Sequence, residues 1–201
     1  MTVSAPGSRR DTTLAEAAAL FASRDDFLLL THDRLDGDAV GSVIGLLLTL
    51  KAHGKRVTAW LPEPPPERYR AFLPGEGLRY GSPPPDLSAG SGTVICLDFS
   101  CPERCPSVSP LSHPAICNLD HHPDNTRFGR WNLIAPEACA TAELLYWLIG
   151  AVPGWELPAA AATALLLGVV MDTGAFRFDN TTPGALNTAA DLVEAGADYR
   201  R

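Results

Sequence analysis

The sequence lacks any apolar stretch that is both long enough and uninterrupted enough to span a bilayer. Its first residues, MTVSAPGSRRDTT, also lack the apolar segment of a secretion signal. The five cysteines form no C-x-x-C pair, and an odd number suits reduced thiols better than a disulfide framework. We therefore expect a cytoplasmic protein with no membrane partner.

An excess of basic residues is also missing. The chain has 16 Lys and Arg residues against 23 Asp and Glu residues, which gives a formal net charge of −7. This balance argues against a protein that coats long duplex nucleic acid through a basic face. A short anionic ligand is still compatible with it if cations lie in the site. The 18 prolines and 17 glycines follow no fixed period, which argues against solenoid and fibrous architectures.

The composition that is present, 46% hydrophobic and 19% charged, is that of one globular domain. We predict a flexible tail over residues 1–11 and a single domain over 12–198. Apolar runs predict strands, and periodic segments with cap residues predict helices. The predicted strands cover 27–31, 55–62, 93–98 and 115–120, and the predicted helices cover 12–22, 39–53, 135–150, 156–172 and 182–198. Their alternation indicates an α/β domain, doubly wound, with a mostly parallel sheet and helices on both faces.

Acidic and histidine residues directly follow several of these elements. In doubly wound folds the ligand site lies beyond the carboxyl ends of the strands, near the point where the strand order reverses. The residues expected at that edge come after three of the strands and after one apolar helix. They are His32, Asp36 and Asp38, then Asp98, then Asp120, His121 and His122, and finally Asp172.

So many carboxylates in one place require protons or cations. Two of them repel each other by about 4 kcal/mol at 4 Å and an effective dielectric constant near 20. The four charges of Asp36, Asp38, Asp98 and Asp172 would be neutralised by two divalent cations. Imidazoles from His32 and His121 shift the preference from Ca²⁺ or Mg²⁺ alone towards Mn²⁺, Co²⁺, Fe²⁺ or Zn²⁺. Two such ions about 3.5–4 Å apart form a clamp for the attack of water on phosphorus.

Each residue also has a purely structural interpretation. An aspartate at a strand end commonly caps a helix or forms a turn, and Asp38 could cap the helix at 39–53. Adjacent histidines can lie on a solvated loop. The metal interpretation is favoured because the pattern recurs at successive strand ends, where capping predicts no histidines.

The assembled motifs resemble the DHH phosphoesterase family over about residues 13–199. The four segments that carry the resemblance are HDRLDGDAVGS, ICLDFS, LDHHPDN and GVVMDTGAFRF. The family includes RecJ exonucleases, nanoRNases that also act on 3′,5′-bisphosphate nucleotides, cyclic-dinucleotide phosphodiesterases and family II pyrophosphatases. The resemblance implies that residues 12–198 form a DHH catalytic domain.

The resemblance implies two cation sites that share one carboxylate. His32, Asp36 and Asp98 would hold one ion, and Asp38, Asp98, His121 and Asp172 would hold the other. Asp120 would orient the histidine pair without touching a metal. His122 would contact the scissile phosphate or protonate the leaving oxygen. The implied catalytic residues are therefore His122, Asp98 and His121.

The chain departs from the family pattern in three places. Arg34 and Leu35 stand where nanoRNase-like members usually have Asn-Pro, and Ala140 stands where these relatives often have serine. The second domain of the family, marked by a Gly-Gly-His motif, is absent from this chain. We expect an isolated catalytic domain with weakened activity, and a naturally short homologue is the alternative.

The form of the motifs favours short oligonucleotides (nanoRNA), 3′-phosphoadenosine 5′-phosphate, or both as substrates, with Mn²⁺ as the leading cation and Mg²⁺, Co²⁺, Fe²⁺ and Zn²⁺ as alternatives. Competing hypotheses are a pyrophosphatase or polyphosphatase, a cyclic-dinucleotide phosphodiesterase, and a nucleotide-binding regulatory module without turnover. A homodimer is compatible with the sequence. Candidate substrate contacts outside the metal set are Arg34, Arg127, Arg130, Arg177, Phe176 and Phe178.

Overall fold

The structure, a computed structural model, describes residues 10–83, 92–108, 111 and 113–200. Its centre is a seven-stranded sheet in the order β1-β7-β6-β5-β2-β3-β4, and the strand pairs are parallel. The strands are β1 (Arg10–Asp11), β2 (Asp26–Thr31), β3 (Arg56–Leu61), β4 (Leu78–Tyr80), β5 (Thr93–Leu97), β6 (Ile116–Asp120) and β7 (Trp131–Ile134). The predicted α/β class and parallel sheet are confirmed.

The α-helices are α1 (Leu14–Ser23), α2 (Gly37–Ala52), α3 (Thr141–Ala151), α4 (Ala159–Asp172) and α5 (Pro183–Glu194). Local sequence explains several of their starts. Thr13 and Glu16 form a reciprocal capping box at α1, Asp36 caps α2, and Thr182 caps α5. The residue before α3, Ala140, provides no side-chain cap. The first amides of α3 therefore need acceptors from elsewhere in the fold.

The two faces of the sheet are covered differently. The main hydrophobic cluster joins all of α1–α5 to one face, whereas the second cluster packs Leu30, Trp60 and Cys96 against loop residues such as Phe99 and Val108. Parallel crossovers are right-handed, so the connections from β5 to β6 and from β6 to β7 pass on the opposite face from α2. These connections contain short 3-10 turns at Pro102–Arg104 and Pro106–Val108 but no α-helix in the described residues. In the described part of these two connections, 3-10 turns and loop residues cover the second face.

Three strands were not predicted from the sequence. β1 covers two residues, β4 covers three and β7 covers four, too few for a hydrophobic pattern to mark them. The predicted tail is wrong at its last two residues, because Arg10–Asp11 pair with Trp131 and Asn132 of β7. Residues 1–9 lie outside the described part of the chain. The predicted helix at 135–150 begins six residues later, at Thr141, after a turn.

Helices α2 and α4 approach each other through glycines. A Cβ atom at Gly41 would lie 2.4 Å from the Ala164 carbonyl oxygen and 2.9 Å from the Gly168 nitrogen, both of them backbone atoms. Gly168 has equally little room, since its Cβ would lie 2.6 Å from Oδ1 of Asp38 and 2.5 Å from Cβ of Ala142. Backbone atoms cannot rotate away as side chains can. We call this contact between α2 and α4 the glycine seam, defined by Gly41 and Gly168.

We expect Gly41→Ala to lower the free energy of unfolding by about 1–3 kcal/mol, because the added methyl group forces the two helices apart. Gly150→Ala is the matched control, since a Cβ at that helical position meets nothing within 4 Å. That variant should gain about 0.5–1 kcal/mol from the reduced entropy of the unfolded chain. Chemical denaturation of both variants checks the difference. Equal stability of the two would contradict close backbone contact at the seam.

No helix in the described residues combines the length and the apolar character needed to cross a bilayer.

The five cysteines are free thiols, and Cys96, Cys105, Cys117 and Cys139 are buried.

Candidate metal centre

The candidate site lies where the strand order reverses. β2 and β5 are neighbours in the sheet, but the chain leaves β2 towards β3 and leaves β5 towards β6 on the other side. The loops that follow them therefore diverge and open a crevice at the carboxyl edge. His32 and Asp98 enter this crevice directly after β2 and β5. The structure brings these two residues to the edge predicted from the sequence, and their role as ligands stays a prediction.

The first cluster consists of His32, Asp36 and Asp98, whose ligand atoms lie within 4.8 Å of one another. Nε2 of His32 lies 3.7 Å from Oδ2 of Asp36 and 3.5 Å from Oδ2 of Asp98. This nitrogen is buried and has no hydrogen-bond partner, whereas Nδ1 of the same ring contacts the Asp33 carbonyl. An unpartnered buried nitrogen between two carboxylates fits the place of a cation.

The second cluster surrounds His121. Its Nε2 lies 3.7 Å from Oδ1 of Asp98 and 3.7 Å from Oδ2 of Asp172. Nδ1 of the ring points to the carbonyl oxygen of Ala138 at 3.3 Å, which leaves Nε2 to face the carboxylates. Asn180 donates to Oδ2 and to the backbone oxygen of Asp172, and it thereby holds the end of α4 in place.

Asp98 belongs to both clusters, with Oδ2 towards His32 and Oδ1 towards His121. It is 2% exposed and its φ of 62° lies in the left-handed region, which is uncommon for a residue with a side chain. Such backbone strain concentrates at functional positions. The turn begins directly at the end of β5, where the Asp98 amide still donates to the Leu119 carbonyl of β6.

Asp38 is placed differently from the other predicted ligands. Its carboxylate accepts from the amides of Thr141 and Ala142, at 2.7 and 3.0 Å, and from the hydroxyl of Ser42 at 3.1 Å. It supplies the cap that Ala140 cannot give to α3. The alternative in which Asp38 caps its own helix is wrong, because Asp36 accepts from Ala39 and caps α2. Burial and the negative charges of Asp98 and Asp172 nonetheless raise the pKa of the Asp38 carboxyl.

Asp120 contacts one histidine of the pair rather than both. Its Oδ1 lies 2.6 Å from Nδ1 of His122, and its Oδ2 accepts from Asn125 at 2.6 Å. In the structure, His121 is held by the Ala138 carbonyl instead. The expectation that Asp120 orients both rings is therefore corrected to His122 alone. The other nitrogen of His122, Nε2, faces Nη1 of Arg104 at 3.3 Å.

The model of the DHH family, N-terminal domain, matches residues 26–169 of the chain. The chain belongs to the DHH family. It is 41% identical to the bifunctional oligoribonuclease and PAP phosphatase NrnA of Thermus thermophilus over 180 residues, which cover 90% of this chain and 53% of that relative. The chain thus spans about half the length of that relative.

Two solved structures share the fold of this DHH domain. An exopolyphosphatase-related protein from Bacteroides fragilis superposes with a TM-score of 0.80 at 22% identity, covering 93% of this chain and 57% of that one. The exonuclease RecJ bound to manganese superposes with a TM-score of 0.58 at 19% identity, covering 92% of this chain and 47% of that one. At these identities the likeness concerns the fold.

The electrostatics of the DHH site favour a bound cation. Burial, with the charges of Asp98 and Asp172, raises the pKa of Asp38 well above its usual range. Burial also raises the pKa of Asp172, with Asp98 and Asp36 adding to it against the effect of His121. Burial opposes protonation of His32, but Asp98, the Asp33 carbonyl and Asp36 outweigh it and raise its pKa. Without cations the cluster therefore tends to take up protons, and divalent cations would compete with them.

A polar cleft of about 910 Å³ opens beside the first cluster. His32, Asp36, Arg34 and Arg104 are among its lining residues. Of the arginines proposed from the sequence, Arg34 is the one that lines this cleft. Arg127 pairs with Asp11, Arg130 lies over the ring of Trp131, and Arg177 donates to the Gly174 carbonyl. Phe176 packs against the core, and Phe178 is 58% exposed.

Four residues that shape the site were not predicted from the sequence: Arg104, Asn125, Thr141 and Asn180. In the Asp120–His122 pair, Asn125 donates to Oδ2 of Asp120, and Arg104 faces Nε2 of His122. A hint for Arg104 was its position six residues after Asp98, within reach of the same sheet edge. Thr141 and Asn180 lie in segments without a charged motif, and no pattern in the sequence marks them.

Proposed function

We propose that the chain is a metal-dependent phosphoesterase that hydrolyses short oligonucleotides and 3′-phosphoadenosine 5′-phosphate. The observation that carries this proposal is the position of Asp98, which presents one oxygen to each of two histidine–carboxylate clusters. A carboxylate shared in this way can bridge two divalent cations that lie a few ångströms apart. The name of the Thermus thermophilus relative supports the choice of substrates.

The donor set suits divalent cations of the first transition series. His32, Asp36 and Asp98 would hold one ion, and Asp98, His121 and Asp172 would hold the other, with Asp38 at its side. Mixed imidazole and carboxylate donors favour Mn²⁺, Co²⁺, Fe²⁺ or Zn²⁺ over Ca²⁺. We propose Mn²⁺ as the working ion, which the manganese-bound RecJ neighbour supports. When bound, the ions supply positive charge that lowers the pKa of water and stabilises the charge developing at phosphorus.

His122 is the residue that we propose to contact the substrate. Arginine can only donate, so in the neutral ring Nε2 of His122 accepts from Arg104 and the proton lies on Nδ1, bonded to Asp120. The hydrogen bond to Asp120 is the main cause of the raised pKa of His122. A phosphate oxygen entering between Arg104 and His122 would accept from the guanidinium and, once the ring is protonated, from Nε2. His122 can then pass that proton to the leaving oxygen.

Three other functions compete with this one. Pyrophosphate or polyphosphate hydrolysis and cyclic-dinucleotide hydrolysis would use the same two clusters. A regulatory nucleotide-binding module would keep the cleft without turnover. Two arginines at the cleft, Arg34 and Arg104, are compatible with every one of these ligands, so a direct comparison of substrates is needed.

The test is a substrate comparison with chelator-treated protein to which Mn²⁺ is returned. We expect cleavage of a dinucleotide and of 3′-phosphoadenosine 5′-phosphate to exceed that of pyrophosphate by at least about tenfold in kcat/KM, a preference of at least about 1.4 kcal/mol. Removal of Mn²⁺ should abolish both reactions. Faster hydrolysis of pyrophosphate would support the first alternative. Nucleotide binding without Mn²⁺-dependent cleavage would support the regulatory module.

A further inference from the structure

Thr141 connects the two carboxylates at the centre of the site. It is the first residue of α3 and is fully buried. Its backbone amide donates to Oδ2 of Asp38 at 2.7 Å, and its hydroxyl donates to Oδ1 of Asp98 at 3.0 Å. One residue outside the acidic motifs therefore holds two acidic side chains that come from α2 and from the end of β5.

The hydroxyl of Thr141 is not used by its own helix. A cap residue would turn its side chain back to the first amides of α3, but these amides are bonded to Asp38. The hydroxyl points instead to Asp98, which lies 43 residues away in the sequence. Threonine is branched at Cβ and has two main side-chain rotamers in a helix, and the bond to Asp98 selects one of them.

The bond from Thr141 fixes the rotation of the Asp98 carboxylate. With Oδ1 held by the hydroxyl, Oδ2 faces Nε2 of His32 at 3.5 Å, while Oδ1 also faces Nε2 of His121 at 3.7 Å. If the carboxylate rotated, one of its two oxygens would no longer face its histidine. The orientation that serves both clusters is thus the one that Thr141 selects.

We propose that Thr141 is a positioning residue whose hydroxyl sets the affinity of the site for divalent cations by orienting Asp98. The inference rests on the proposed function, since it concerns the same pair of clusters. Hydrogen-bond partners of metal ligands commonly change metal affinity by about 10- to 100-fold when removed.

The test compares three variants of the full chain after chelator treatment. Thr141→Val removes the hydroxyl with little change in shape, and Thr141→Ser restores it. Thr49→Val is the matched control, because Thr49 is also fully buried in a helix but its hydroxyl donates to the Gly45 carbonyl of the same helix. Mn²⁺ binding is measured by titration calorimetry, and the thermal transition without metal is recorded for each variant.

We expect Thr141→Val to raise the Kd for Mn²⁺ by about 10- to 100-fold. Thr141→Ser should stay within about threefold of wild type, the spread expected when the hydrogen bond is kept, and Thr49→Val should not change the Kd. If Thr141→Val shows no cooperative thermal transition, Thr141→Ala replaces it, with the same expected loss of affinity.

Two results would overturn the proposal, and they differ from a failure of the proposed function. Unchanged Mn²⁺ affinity in the variant that lacks the hydroxyl would remove the role of Thr141 and leave the metal site intact. An equal loss in Thr141→Ser would show that packing, not the hydroxyl, matters. If wild type itself binds no Mn²⁺, the proposed function fails together with this inference.

Discussion

Asp98→Asn is expected to lower Mn²⁺-dependent kcat/KM by about a thousandfold or more, since the ions contribute several kcal/mol to the transition state. Asp98 faces both His32 and His121, so its loss affects both ion positions at once. Asparagine keeps the shape and an oxygen that can accept from the hydroxyl of Thr141. The loss is therefore a loss of charge rather than of packing.

The same variant should separate metal binding from stability. Wild type is expected to gain about 2.7 kcal/mol of unfolding free energy at a Mn²⁺ concentration 100 times the Kd, whereas Asp98→Asn should gain little. In chelator the variant should lie within about 1 kcal/mol of wild type, because the repulsion relieved at Asp38 and Asp172 offsets the weakened hydrogen bonds. Thermal melts with and without Mn²⁺ provide the measurement.

Asp179→Asn is a suitable control for Asp98→Asn, since Asp179 is exposed and belongs to neither cluster. It should keep both the activity and the stabilisation by Mn²⁺. Retention of a full Mn²⁺-dependent rise in melting temperature by Asp98→Asn would be incompatible with a shared carboxylate.

The two adjacent histidines should lose different properties when each is replaced by glutamine: His122→Gln should lose kcat, and His121→Gln should lose Mn²⁺ affinity. His122→Gln is expected to lower kcat by about 10²- to 10⁴-fold, the usual contribution of a general acid. Its Mn²⁺ affinity should stay near that of wild type, because Nδ1 is bonded to Asp120 at 2.6 Å, although it also lies 3.8 Å from Oδ1 of Asp98, and Nε2 faces Arg104. His121→Gln should instead weaken Mn²⁺ binding, since Nε2 of His121 faces Asp98 and Asp172.

The assignment of roles within the pair is read from two measurements on each variant, the Kd for Mn²⁺ and kcat at saturating Mn²⁺. His53→Gln controls for the loss of an imidazole, since the ring of His53 stacks on Trp155 outside both clusters. If both histidine variants lost Mn²⁺ to the same extent, His122 would have to be counted among the ligands.

Much of the site could be predicted from the sequence because the rule that locates it depends on strand ends. Asp98 and the Asp120–His122 segment follow apolar strands whose carboxyl ends meet at one edge of a parallel sheet. Asp172 was also placed correctly at this edge, since it ends the apolar helix α4 and faces His121. Their assignment as ligands is still a prediction.

The partners of these residues could not be predicted, because they are set by packing between distant segments. Asp38 bonds to amides 103 and 104 residues away, and no local pattern distinguishes this contact from a cap on its own helix. The sequence also does not show which of the two adjacent rings, His121 or His122, bonds to Asp120.

The glycine seam couples the stability of the fold to the geometry of the acidic site. A side chain at Gly168 would collide with α3 at Ala142 and with the carboxylate of Asp38 at the same time. Any larger residue at Gly168 would therefore change the stability of the fold and the geometry of the acidic site together. We therefore expect the thermostability and the chemistry of this domain to change together, and not separately, when a residue of the seam is substituted.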